Sequence, residues 1–159
     1  MTIDVRPIRA EEVDLVLPLF AAYQRFYLAE PDDERNRRFV ARFVAPSDDG
    51  VVLGAWDDEG ELVGFALLYW TFSSTRAAEV AVMNDLFVRA DQRGRGAGRA
   101  LIDAALRATV ERGGAHLEWL TAPDNLAAQR VYDATGASRS TWIAYELEPR
   151  DPSRGGGSG

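Results

Sequence analysis

The sequence contains no cysteine. That excludes disulfides, thiolate nucleophiles and thiolate metal sites. It contains no lysine either: all 18 basic residues are arginine. Schiff-base chemistry on a lysine is therefore excluded, as is any phosphate loop built on Gly-Lys-Ser/Thr. With one histidine, His116, a histidine-based metal site is not expected. No apolar run approaches the roughly 18 residues of a membrane-crossing helix. The opening stretch, MTIDVRPIRAEEVD, is charged early and lacks the apolar core of a secretory signal. A cytoplasmic location is the expectation.

Acidic residues outnumber basic ones, 25 to 18. The formal net charge is −7, so general nucleic-acid binding, which needs a basic footprint, is not expected. An acidic balance favours solubility and is compatible with a cationic partner. The 159 residues, 47% of them hydrophobic, suit one globular domain. That domain is expected over residues 1–149. Residues 150–159, ending in GGGSG, supply no core residue and read as a flexible Gly/Ser-rich tail.

Periodicity outlines the fold. TIDVRPI alternates like a strand. Val13, Val16, Leu17, Phe20, Tyr23 and Tyr27 follow at helical spacing, with Pro18 placed to kink or divide the helix. Asp32, Asp33 and Glu34 suit the start of a second helix. VVLGAW and ELVGFALLYWTF, joined by DDEG, predict a hairpin, and EVAVMNDLFV an interior strand. A helix from about Leu101 to Val110, the strand AHLEWLT, the short helix NLAAQRVYDATG and a last strand, STWIAYEL, complete the series. The fold class is α/β: one mixed sheet with helices on both faces.

The chemistry is concentrated in DQRGRGAGRAL, which joins a strand to a helix. Unpaired amides at a helix start, with the helix dipole behind them, bind anions. Glycines let the backbone approach a phosphate, and Arg93, Arg95 and Arg99 add donors. A dinucleotide fingerprint counted from Gly94 requires a small residue where Arg99 stands, and neither Glu111 nor Glu118 makes a convincing ribose ligand. A further candidate ligand for this stretch is the pyrophosphate of coenzyme A. Arg93-Gly94-Arg95-Gly96-Ala97-Gly98 resembles the (Gln/Arg)-x-x-Gly-x-(Gly/Ala) loop of the GNAT N-acetyltransferases.

The resemblance extends beyond the loop. Asp85-Leu86-Phe87-Val88 matches the Asp-Leu-aromatic-Val strand that precedes it in that family. Asn125, Ala128 and Tyr132, then Gly136-Ala137, match the family's later helix, and their spacing puts the three on one face. From VRPI to YEL the sequence is similar to a GNAT domain, with a narrower likeness to the diamine/polyamine acetyltransferase branch. That branch carries Glu-Asp where this chain has Asn84-Asp85. The resemblance implies a mostly antiparallel mixed sheet of six to seven strands with a splay at the cofactor site. It also implies a homodimer.

The implied activity is acetyl transfer from acetyl-CoA to a primary amine by direct attack, without a metal. The expected acceptor is a small cationic amine. A protein or peptide amine, and a non-catalytic acyl-CoA-binding module, are the alternatives. Arg93 to Arg99 would hold the cofactor's pyrophosphate. Leu86, Phe87 and Val88 would offer backbone amides, with Phe87 and Val88 preferred. Asp85 is the first candidate base and Glu118 the second. Tyr132 is the proton donor to the leaving thiolate. Asn125 either bonds the cofactor arm or caps its helix. Tyr23, Phe26, Tyr27, Trp70 and Phe72 are candidates either for an acceptor pocket or for ordinary core and rim.

Overall fold

A computed structural model describes residues 2–149. One sheet of five strands runs β1 (Asp4–Pro7), β2 (Gly50–Trp56), β3 (Leu62–Ser73), β4 (Ala78–Val88) and β5 (Leu117–Glu118), in that spatial order. The first four are antiparallel neighbours; β4 and β5 are parallel. The helices are α1 (Val13–Phe26), α2 (Asp33–Ala41), α3 (Ala97–Arg112) and α4 (Leu126–Asp133). None of these helices is long and apolar enough to cross a membrane.

Alternation along the strands separates two cores. Val51, Leu53 and Ala55 of β2 pack with Leu101, Ile102 and Ala105 of α3. Val52 of β2, with Phe65 and Leu67 of β3, faces Val16 and Phe20 of α1 and Val40 of α2. Every residue of β2 is buried, as its unbroken apolar run requires. Asp32 caps α2 by accepting from the Arg35 amide at 2.8 Å. Pro18 does not divide α1, which continues through it from Val13 to Phe26.

At the domain's start, Glu12 is buried yet charged. It accepts from Arg6 Nη1 and Nη2 at 2.8 and 2.7 Å, from Arg9 Nη2 at 2.8 Å and from the Arg9 amide at 2.9 Å. The hydrogen bonds from Arg6 and Arg9 hold its carboxyl far below the usual carboxylate range. Arg6 also lies over the Trp56 ring, 3.8 Å from its centroid.

The sheet has five strands among the described residues, not six to seven. AHLEWLT forms ladder pairs only at Leu117 and Glu118. STWIAYEL has strand composition but no neighbouring strand, and strand composition without a ladder partner leaves an open chain. The tail expected at 150–159 lies outside the described residues.

Candidate active site

Between β4 and α3 the chain makes a short 3₁₀ turn, Ala90–Gln92, and then the glycine loop. Gly94 and Gly96 have φ of +78° and +91°. A Cβ at either would meet nothing within 4 Å, so the dihedral rather than crowding calls for glycine here. Gly96 is the N-cap of α3, and its carbonyl accepts the first helical bond, from Ala100 N–H at 3.0 Å. The amides of Ala97, Gly98 and Arg99 precede that bond, at the positive end of the helix dipole. Open space, two left-handed glycines and free amides fit a pyrophosphate.

The three arginines are not equivalent. Arg93 Nε donates to the Val88 carbonyl at 3.0 Å and ties the loop to β4. Arg99 donates to Asp103 at 3.0 Å and to the Ala134 carbonyl at 2.8 Å, joining the start of α3 to the end of α4. Arg95 donates to the neutral Gln92 side chain at 3.2 Å. Its partner, like that of Arg93, is uncharged, whereas Arg99 is paired with a carboxylate.

Alongside the loop, β4 parts from β5. Their pairing is confined to Ala81 with Leu117 and Val82 with Glu118. From Met83 onward that side of β4 has no strand partner among the described residues. A bulge sits at the point of parting: Asp85 pairs with Leu67 and Met83 with Leu68, which leaves Asn84 as the extra residue. Beyond the bulge, Arg89 N–H donates to Val63 O at 2.8 Å, so Arg89 faces β3. Antiparallel alternation then turns the Phe87 amide toward β3 and those of Leu86 and Val88 toward the gap. The preference for Phe87 as an amide donor does not fit this pairing, because its N–H belongs to the ladder side.

The bulge also aims Asp85 into the α1–α2 face, where it is only 3% exposed. Asn84 Nδ2 donates to it at 2.9 Å, and the Tyr23 phenol is turned toward it. Burial pushes the Asp85 carboxyl above its ordinary value, with Tyr23 and Asn84 partly opposing. Burial, followed by the nearby Asp85 charge, pushes the Tyr69 phenol up to about 12. Tyr23 is raised as well, by burial first and then by its contact with Asp85. Tyr27 packs on Tyr23 with ring centroids 5.0 Å apart, and Phe26 on Tyr27 at 5.1 Å. A carboxylate ringed by tyrosines therefore lies beside the gap in the sheet.

Trp70 and Phe72 do not join this group. Trp70 packs in the α3-side core, with Arg112 5.1 Å above its ring, and Phe72 is 80% exposed. Glu118 bonds His116 Nε2 at 2.8 Å and is mostly in solvent. Of the acidic residues at the start of α2, Asp32 caps the helix and Glu34 pairs with Arg38 at 3.2 Å.

On α4, Asn125, Ala128, Gln129 and Tyr132 are half-buried and the remaining residues exposed. This is the face expected from the spacing. Asn125 is the N-cap: its Oδ1 accepts from Ala128 N–H at 3.2 Å, leaving the amide nitrogen as donor. Tyr132 packs edge to face on Trp119 at 5.4 Å. Burial, and then the proximity of Tyr27, raise its phenol pKa, so it stays protonated. The Tyr69 and Trp119 contacts were not read from the sequence. Tyr69 shares strand parity with Leu67, opposite Asp85, but only the bulge reveals that register.

A sheet that opens beside a glycine loop at a helix start is an arrangement that an acyl-CoA would fit. The chain belongs to the acetyltransferase (GNAT) family, whose profile matches residues 16–137. It is 30% identical over 142 residues to the uncharacterized N-acetyltransferase YhfO of Bacillus subtilis (strain 168), spanning 89% of this chain and 94% of that one. It is 31% identical over 145 residues to the D-amino-acid N-acetyltransferase HPA3 of Saccharomyces cerevisiae, spanning 91% and 85%. Among solved structures, the aminoglycoside N-acetyltransferase AAC(6')-Iy in complex with CoA shares the fold, with a TM-score of 0.75 at 20% identity, over 92% of this chain and 95% of that one. The protein is an N-acetyltransferase.

Proposed function

We propose that the protein transfers the acetyl group of acetyl-CoA to the primary amine of a small cationic molecule, by direct attack within a ternary complex. The observation that carries this reading is Asp85: a buried carboxylate of raised basicity, ringed by Tyr23 and Tyr69, beside the open edge of β4. A primary amine has a pKa near ~10.4, so about one part in 10³ is neutral at pH 7. Reaching the neutral form costs roughly 4–5 kcal/mol. A carboxylate that accepts the ammonium proton lowers that cost, and raised basicity makes Asp85 a better acceptor than an exposed aspartate.

The other residues divide the remaining work. Gly94, Gly96 and the α3 amides hold the pyrophosphate, with Arg95 adding charge. The Leu86 and Val88 amides meet the oxyanion formed when the amine nitrogen bonds the thioester carbon. The C–S bond then breaks, and Tyr132 gives the leaving sulfur a proton that is made good from the acylated nitrogen. Asn125 Nδ2 is a donor for the cofactor arm.

The small-molecule acceptor draws support from the names of HPA3 and AAC(6')-Iy. A strictly polyamine acceptor draws less, because Asn84 stands where that branch has a carboxylate and here donates to Asp85. Thiol release from acetyl-CoA tests the reading, measured against polyamines, aminoglycosides, D- and L-amino acids and a lysine peptide. Turnover with small cationic amines is expected. Fastest turnover with the peptide, or none with any amine, would overturn it.

A further inference from the structure

β5 carries an acidic side chain that the proposed transfer leaves unused. Cross-strand partners share one face of a sheet. Glu118 lies opposite Val82, and Val82 lies opposite Tyr69. Tyr69 packs with the α1–α2 core, whereas the neighbouring pair, Ala81 and Leu117, packs with α3. Glu118 therefore points to the face that Asp85 shares with Tyr23 and Tyr69. Among the described residues none of β5 joins the α1–α2 core, so that face of β5 stays open, and the Glu118 side chain is 58% exposed.

The bulge sets the spacing. Asp85 pairs with Leu67, two residues along β3 from Tyr69. That rise, together with one strand spacing, puts the Asp85 and Glu118 backbones roughly 8 Å apart. Without Asn84 as the extra residue, Asp85 would fall on the α3 face, and the two carboxylates would lie on opposite sides of the sheet. Glu118 is also held in place. His116 Nε2 meets its Oε2 at 2.8 Å, while Nδ1 is buried without a partner, so Nε2 is the donor. Among the described residues the other oxygen, Oε1, has no partner.

We propose that Glu118 is a specificity-determining residue for the proposed acetyl transfer: its carboxylate holds a second cationic group of the acceptor while Asp85 takes the proton of the reacting amine. The acceptor class this selects is a small amine with a further positive charge several bonds from the reacting nitrogen, a chemistry that diamines and aminoglycosides share. Glu118 acts on binding rather than on the chemical step, because a carboxylate at the rim of a site steers and holds a cation without meeting the thioester.

Straight-chain diamines from putrescine upward, each set against the monoamine of equal heavy-atom count, test this by thiol release from acetyl-CoA. Wild type is expected to show the lower KM for the diamine at the length that spans both carboxylates. Glu118→Gln, which keeps the contact with His116, is expected to raise that KM about fivefold, with kcat carrying little of the loss, and to cancel the advantage over the matched monoamine. Glu118→Asp should recover part of it. Neamine, run beside the series, separates the aminoglycoside from the diamine: a Glu118-dependent rise in KM with either supports the proposal and says which dication the site takes. Equal losses with monoamine and dication, a loss confined to kcat, or no change would overturn it and leave acetyl transfer at Asp85 standing. A wild type that acetylates no amine would overturn both.

Discussion

Trp119 and Tyr132 meet edge to face, their ring centroids 5.4 Å apart and the planes inclined by 65°. The contact fixes the Tyr132 ring against Trp119 without using its hydroxyl. Tyr132→Phe keeps the ring and removes only the hydroxyl group. We expect kcat to fall about 10²-fold. Acetyl-CoA affinity should change little, which calorimetric titration would check. Unchanged turnover would remove Tyr132 from the chemistry.

Asp85 separates activity from stability. Its folded pKa is raised, so its contribution to stability is full below the ordinary carboxylate value and is lost as pH rises through the raised one. Asp85→Asn should therefore be at least as stable as wild type at pH 7, by thermal unfolding, while losing about 10²-fold or more in kcat/KM. The wild-type kcat/KM profile should show an acid limb set above the ordinary aspartate range. That limb should be missing in the variant.

Gly96→Ala puts a Cβ where φ is +91°. The left-handed conformation costs an L-residue roughly 1–2 kcal/mol. Relaxation toward negative φ would re-aim the first amides of α3. The expected result is about a tenfold rise in the acetyl-CoA dissociation constant, with far-ultraviolet circular dichroism unchanged. Unaltered affinity would show that these amides do not hold the ligand.

Glu12 titrates in the opposite sense to Asp85. Its folded pKa is lowered, so its stabilisation is present above the ordinary glutamate value and lost as pH falls toward the folded one. Glu12→Gln sets an amide against Arg6 and should cost about 2 kcal/mol at pH 7. Denaturant unfolding from pH 7 down to 3 should show the gap to wild type narrowing as acid is added. A constant gap would mean that the carboxylate charge is not the source.

Much of the site was legible because its signals are local. The glycine loop and the Asn125–Ala128–Tyr132 face each depend on neighbours in sequence, and the structure places them on one helix start and one helix face. The same holds for the element order as far as α4. What escaped depends on distant pairing. One extra residue, Asn84, inverts the parity of β4, so the amide of Phe87 turns into the ladder and Asp85 meets Tyr23 and Tyr69. No local pattern distinguishes a bulged strand from a straight one. STWIAYEL reads as a strand by composition, but strand formation needs an edge to pair with, and that information lies outside the segment.

The most direct test is calorimetric titration of the full-length protein with acetyl-CoA, with NAD titrated in parallel. Saturable binding of acetyl-CoA at one site per chain, with no heat from NAD, is the predicted result. Binding of NAD in preference, or of neither, would contradict the assignment of the Gly94–Gly98 loop. The roles of Leu86, Val88 and Tyr132 would fall with it.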